Sequence, residues 1–313
     1  MTTAPTTSTA DTTSTADTDQ LLRFLLPDAG VRGVLVDLTD TWQHIHADRD
    51  YPPAIATLLG QAAAAAALFT GHAKVDGRLS VQLRGSGHLR TLFAECTAAG
   101  TLRGIAQLAQ DSDADDDAAS LQSLGPDAVL AITIENPGRR GGDPMRYQGL
   151  VPLHSDTLAG AFEAYFRQSE QLPTRLLLAS DAGHARGLML QKLPGDEGDA
   201  DGWNRASLLF DTLPANELLQ VPGPALLQRL FHDEHLQRLG SQPLRFACSC
   251  SRERVAAMLQ ALGEDEANAA LVVDGQAEIR CEFCGQTYRF SPGDVRLLFV
   301  EQAAHAEAPR RLQ

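Results

Sequence analysis

Four of the five cysteines in this chain stand near its C-terminal end, as Cys248-Ser249-Cys250 and Cys281-Glu282-Phe283-Cys284-Gly285. Two close pairs with a foldable segment between them suit a tetrahedral thiolate site, because each pair supplies two ligands from one tight turn. The expectation is a zinc site with Cys248, Cys250, Cys281 and Cys284 as ligands and one Zn2+ per chain. Gly285 permits the positive φ that a knuckle turn requires, and residues 277–280 and 286–290 alternate as two short strands, which puts the knuckle at a hairpin tip. After the first pair, Ser251-Arg252-Glu253-Arg254 opens a helix with Val255, Met258, Leu259 and Leu262 at helical spacing, and a helix N-terminus favours thiolate over thiol. Four thiolates around one Zn2+ leave a charge of about minus two, which Arg252, Arg254, Arg280 and Arg289 are near enough in sequence to offset.

The same sulfurs can do redox chemistry. Each pair can close into a disulfide, and closing both leaves no thiolate for a metal. A small zinc module draws most of its folding free energy from the ion, roughly 10–16 kcal/mol in model zinc peptides, so losing zinc unfolds it. The pattern therefore permits a switch in which oxidation and metal release are one event. Two other readings of the residues are a zinc ribbon that binds nucleic acid or protein, and a thiol oxidoreductase using Cys281 and Cys284. The second usually places its Cys-x-x-Cys at a helix N-terminus, not in a hairpin. Structural disulfides would need an oxidising compartment, and nothing else in the chain argues for export.

At 313 residues the rest of the chain is long enough for one large domain and a connecting segment. A formal charge of -14 disfavours a polyanionic partner, so no nucleic acid is expected. The longest purely apolar run, residues 62–69, is far short of the about 20 residues that cross a bilayer, so no membrane association is expected either. Residues 1–20 are almost all Thr, Ala, Ser and Asp and are expected to be a disordered tail without signal-peptide features. Free cysteines then belong in a reducing cytoplasm.

The elements that must position the cysteines follow from periodicity. Strands are expected at residues 31–39, 77–85, 89–96, 101–106, 128–135, 147–153, 175–179 and 185–191. A helix over residues 54–70 has a poly-alanine centre suited to close packing in a core. Another over 157–171 carries Leu158, Ala161, Phe162, Tyr165 and Phe166 as one stripe. Gly85-Ser86-Gly87 suits a hairpin turn better than a phosphate loop, and Cys96 suits a buried position. The acidic run at residues 111–117 fails as a calcium loop, since it has Asp116 where glycine is needed and Gln122 where glutamate is needed. His44, His46, His232 and His235 are not expected to ligate metal. Two further helices are expected at 204–213 and 225–239. Leu208, Leu209, Phe210, Leu218, Leu219, Leu226, Leu227, Leu230 and Phe231 give that segment more apolar surface than a flexible tether carries, so it must be buried somewhere.

Three stretches together resemble a known family: residues 77–85 (GRLSVQLRG), residues 165–174 (YFRQSEQLPT), and Cys248-x-Cys250 with Cys281-x-x-Cys284. Over residues 21–300 the chain resembles the redox-regulated heat-shock protein 33 chaperones of bacteria. The resemblance implies an α+β fold: an N-terminal mixed sheet-and-helix domain (21–193), a metastable helical linker (194–245) and a small C-terminal zinc redox-switch domain (246–300), with tails at 1–20 and 301–313. It implies no enzyme but an ATP-independent holdase, inactive as a reduced zinc-bound monomer. On oxidation Cys248 would pair with Cys250 and Cys281 with Cys284, zinc would leave, the linker would unfold, and a homodimer would hold unfolding client proteins. Leu208, Leu209, Phe210, Leu218, Leu219, Leu227, Leu230 and Phe231 are the client-binding candidates. The acidic loop at 111–117 and the Thr/Ala-rich start depart from the family pattern without touching the cysteines.

Overall fold

Alanine favours a helix while taking almost no room beside it, which lets one helix lie between two sheets. In the computed structural model, which describes residues 19–47, 49–109, 121–125, 127–138, 142–195, 199–271 and 275–307, Ala62 to Ala67 are each at most 1% exposed. The chain begins with β1 (Gln20–Leu26), β2 (Val31–Leu38), α1 (Asp40–His46) and this central helix, α2 (Pro53–His72). It continues through β3 (Arg78–Arg84), β4 (Leu89–Thr97), β5 (Thr101–Leu108), β6 (Val129–Asn136), β7 (Met145–Val151), α3 (Leu158–Ser169), β8 (Thr174–Ser180) and β9 (Ala185–Lys192). Next come α4 (Gly202–Asp211), α5 (Ala215–Gln220), α6 (Gly223–Leu230), β10 (Gln237–Pro243) and β11 (Arg245–Phe246). Last are α7 (Arg252–Leu262), α8 (Glu264–Ala269), β12 (Ala277–Arg280), β13 (Thr287–Phe290) and α9 (Pro292–Glu307).

One sheet has the order β10-β1-β2-β9-β8 and the other β11-β5-β4-β3-β6-β7. All pairings are antiparallel except β11 with β5. Packed between the sheets, α2 touches β2, β8 and β9 on one side and β3, β4 and β5 on the other. The approach is close, since a Cβ on Gly187 would fall 2.6 Å from Leu68 Cδ1. Although α2 is long and apolar enough to cross a bilayer, 72% of its apolar window is buried inside the protein, so it is the core helix its alanines predict. The stripe on α3 is buried as expected, with Phe162 and Phe166 edge-on to Phe69 at 4.8 and 5.1 Å. Cys96 is buried on β4, and burial pushes its thiol up to about 12.

Two further cores exist. The outer face of the five-stranded sheet, with Phe24, Leu35, Leu188 and Leu190, is covered by Ala206, Phe210, Leu213, Leu218, Leu226, Leu227 and Phe231 of the segment that follows β9. Among its described residues, the C-terminal module buries the apolar side chains of Val255, Leu259, Ala267, Ala277, Phe290 and Val295.

The structure corrects the expected linker. Its last helix ends at Leu230 instead of 239, and residues 237–243 form β10, which extends the five-stranded sheet beside β1. The open edge of β1 offers backbone partners that outweigh a helical pattern already fading after Phe231, and Leu239 is exposed on that strand. Three short helices, α1, α5 and α8, have too few turns to show a period and were not expected. Asp19 is ordered, its carboxylate accepting from the N–H groups of Thr39, Asp40 and Thr41 at the start of α1. At the other end α9 continues to Glu307. The acidic run at 111–117 and most of the N-terminal tail lie outside the described residues.

With both faces of α2 occupied, Ala65→Leu has nowhere to place three extra carbons. It is expected to lower domain stability by about 1–3 kcal/mol, read as a lower urea midpoint at unchanged slope. A wild-type midpoint would mean α2 is not wedged between the sheets.

Candidate metal centre

A short hairpin and a helix start bring the four sulfurs together. Between β12 and β13, the Cys281 N–H donates to Gln286 O at 2.8 Å and the Gly285 N–H to Cys281 O at 2.9 Å, closing a knuckle in which Gly285 takes φ 72°. On the other side, Ser251 caps α7 by accepting from the Arg254 N–H at 3.3 Å, which turns Cys250 toward the knuckle. The sulfurs of Cys248, Cys250, Cys281 and Cys284 all lie within 4.8 Å of one another, with Cys248–Cys281 at 3.7 Å and Cys250–Cys284 at 3.3 Å. A tetrahedral zinc with bonds of about 2.3 Å puts its sulfurs about 3.8 Å apart, so this donor set fits zinc. Among the described residues no other group of three or more potential ligands gathers in this way.

The surroundings of the sulfurs differ. Burial pushes the thiols of Cys248 and Cys284 up, the latter to about 12. Burial acts on Cys250 in the same direction, but the Tyr288 hydroxyl, donating to its sulfur at 3.1 Å, and the neighbouring thiols bring it down to about 7. The Tyr288 hydroxyl is itself raised to about 12 by that bond. Of the four arginines expected to balance the cluster, two are occupied elsewhere: Arg252 pairs with Asp294 at 3.3 Å and lies over the Phe290 ring, and Arg289 pairs with Glu278 at 2.9 Å. Arg254 donates to Ser249 O between Cys248 and Cys250, and Arg280 lies across Gly285.

The knuckle does not hang free. Phe283, between its two cysteines, meets the Phe93 ring edge-on at 5.8 Å and lies under the Arg103 guanidinium at 4.5 Å, on the outer face of the six-stranded sheet. Arg103 also donates to Ser249 Oγ at 2.9 Å and pairs with Glu95 at 3.0 Å, while Gln107 donates to Glu282 at 2.9 Å. A cleft of about 350 Å³ between His44, Arg49, Phe246 and Arg280 leads to Cys281 and Cys284. His44 stacks on Phe246 at 5.8 Å and His46 on Trp42 at 4.3 Å, and His232 and His235 sit by Asp233 and Asp28. None of the four histidines joins the cysteines.

The client-binding candidates divide by position. Phe210, Leu218, Leu227 and Phe231 are buried against the five-stranded sheet, Leu209, Leu219 and Leu230 are partly buried beside them, and Leu208 is 59% exposed. These helices and the knuckle contact different sheets. What joins them is the strip at residues 244–247, where Leu244 N–H donates to Asp19 O, Arg245 N–H to Gly100 O and Ala247 N–H to Leu102 O, one residue before Cys248. Sequence reading did not mark Phe283, Phe93, Arg103 or Tyr288. An aromatic residue between two ligands at a hairpin tip was the available signal for Phe283, because such a position cannot be buried in so small a module.

Residues 19–291 match the family model described as "Hsp33 protein". The chain is 45% identical to the 33 kDa chaperonin of Ectopseudomonas mendocina, covering 92% of this chain and 96% of that protein. It is 41% identical to the 33 kDa chaperonin of Azotobacter vinelandii, covering 92% and 97%. Its fold is similar to the crystal structure of the 33 kDa chaperonin of Thermotoga maritima, with a TM-score of 0.73 and 20% identity over 92% of this chain and 99% of that one.

A module with only six buried apolar side chains among the described residues would depend on a bound metal for its fold. Cys284→Ser is expected to lose bound zinc, with trypsin cleaving at Arg252, Arg254, Arg280 and Arg289 at least about a hundredfold faster while the two-sheet domain stays intact. Full zinc content and unchanged resistance would remove Cys284 from the ligand set.

Proposed function

The chain belongs to the Hsp33 family, and from that premise we propose that it is a cytoplasmic, ATP-independent holdase switched on by oxidation, not an enzyme. The observation that carries this reading is that one continuous strip of chain links the four thiols to an apolar segment buried on a sheet. In the reduced protein Cys248, Cys250, Cys281 and Cys284 would hold one Zn2+, whose role is to fix the fold of the module around them. The protein would then be an inactive monomer.

Oxidation acts on the ligands. Forming one disulfide within each pair, Cys248–Cys250 and Cys281–Cys284, takes two electrons from each pair of thiolates and hands them to a two-electron oxidant, whose reduced form draws its protons from water. No thiolate is then left to hold the metal. The family resemblance supplies this pairing. All four sulfurs are within 4.8 Å, so closure within the pairs needs only local movement of the two turns. A module that loses its metal loses the surface that presents Phe283, Ser249 and Glu282 to the six-stranded sheet, and the strip at 244–247 loses its anchor at Cys248. The segment over 204–239 would then leave the five-stranded sheet and offer its apolar side chains to unfolding proteins, with the active form a homodimer.

The rival readings lack such support. Cys281 and Cys284 sit at a hairpin tip and not at a helix N-terminus, unlike a thiol oxidoreductase, and the formal charge of -14 disfavours nucleic acid.

Oxidising the protein under mildly unfolding conditions is expected to release one zinc per chain, consume four thiols and turn on suppression of aggregation of a heated test protein. Serine at Leu208, Leu209, Leu219 and Leu230 together is expected to weaken that suppression at least about fivefold, each side chain contributing about 1 kcal/mol or less of client contact. Retained zinc with unchanged activity would refute the switch, and undiminished suppression by the serine variant would place the client surface elsewhere.

A further inference from the structure

The interface between the five-stranded sheet and the segment that covers it is apolar at its centre and polar at both ends: at one, Arg175 on β8 pairs with Asp211 of α4 at 3.1 Å with both side chains well exposed, and at the other the pair is buried. There Asp37 on β2 and Arg186 on β9 stand directly opposite one another, and Arg186 Nε donates to Asp37 Oδ1 at 2.7 Å. Both side chains are only 10% exposed. On the next strand the residue opposite Arg186 is Ala179, whose small side chain leaves the guanidinium room to turn toward α5. Its Nη1 donates to Leu218 O at 3.1 Å and to Val221 O at 2.8 Å. Carbonyls in the last turn of a helix have no partner within it, and a cation there completes them.

Three acceptors thus converge on one planar, always charged group, one from the sheet and two from the covering segment. Burial nevertheless raises the Asp37 carboxyl above its usual range even with Arg186 beside it, so the docked pair carries a desolvation cost. That cost is met only while α5 supplies its carbonyls. Once α5 departs, both charges regain water, which makes docking reversible in a way that a wholly apolar contact is not.

We propose that Arg186, braced by Asp37, is a latch that holds the covering segment on the sheet by gripping the Leu218 and Val221 carbonyls. It is a positioning residue, and it sets how far the segment is poised to leave independently of the cysteines. The proposal rests on the holdase reading for its purpose, but not for its geometry.

The test uses the full chain with zinc bound and thiols reduced. Arg186→Met is expected to keep one zinc and four free thiols, while chymotrypsin cuts within residues 202–231 about a hundredfold faster than in wild type, as follows from leaving Asp37 buried and unpaired and two carbonyls unsatisfied. The double variant Asp37→Asn with Arg186→Met separates a latch from simple charge neutralisation: the latch predicts that cleavage stays fast, and neutralisation predicts recovery to the wild-type rate. Should Arg186→Met expose the whole domain, with cuts in residues 53–72, Arg186→Lys carries the test, since lysine keeps the charge but cannot reach Asp37 and both carbonyls together. Faster linker cleavage in an intact domain is then expected. Linker cleavage within about twofold of wild type in the intact variant, or recovery in the double variant, overturns the latch. Failure of oxidised wild type to suppress aggregation, with the linker still opened by Arg186→Met, overturns the holdase reading and leaves the latch standing.

Discussion

An apolar sheet face has to be covered, and here the cover for the five-stranded sheet is supplied by the stretch of chain that leads to the cysteines. Phe24, Leu35, Leu188 and Leu190 would meet water if Phe210, Leu218, Leu227 and Phe231 left them. Each large side chain buried in this way stabilises the docked form by about 1.5–3 kcal/mol. Against that stand the ordering of three short helices and the burial of Asp37 and Arg186.

The position of the cysteine module explains how a distant cluster could influence that cover. Its knuckle lies on the six-stranded sheet, away from the covering helices, so the influence cannot run through direct contact between knuckle and cover. It would run along the chain: β10 borders one sheet, β11 borders the other, and three backbone hydrogen bonds fasten residues 244–247 immediately before Cys248. Because β11 is two residues long, this fastening is slight, and the cysteine module provides the next firm hold on the C-terminal side. The module in turn has a core of six apolar side chains among its described residues and would depend on its sulfurs.

Much of this was legible in the sequence, for physical reasons that vary by element. The poly-alanine of α2 and the stripe of α3 announce themselves because their periods extend over several turns. The four-cysteine cluster is legible because thiolate chemistry demands close pairs, and Gly285 because a knuckle demands positive φ. What was not legible depends on partners far away in sequence. β10 is a strand because β1 has an open edge, so its exposed Leu239 looked like the continuation of a helix. Phe283 matters because Phe93 and Arg103 lie beneath it, and the Asp37–Arg186 pair is visible only once β2 and β9 are in register.

The state of the sulfurs and the docking of the cover would be linked through the strip at 244–247. Hydrogen exchange followed by mass spectrometry on the reduced, zinc-bound protein and on the oxidised protein tests this link most directly. Amides of residues 204–231 and 237–247 are expected to lose protection together with the cysteine module on oxidation, while those of α2 keep theirs. Continued protection of residues 204–231 after the module has lost its zinc and its fold would contradict it.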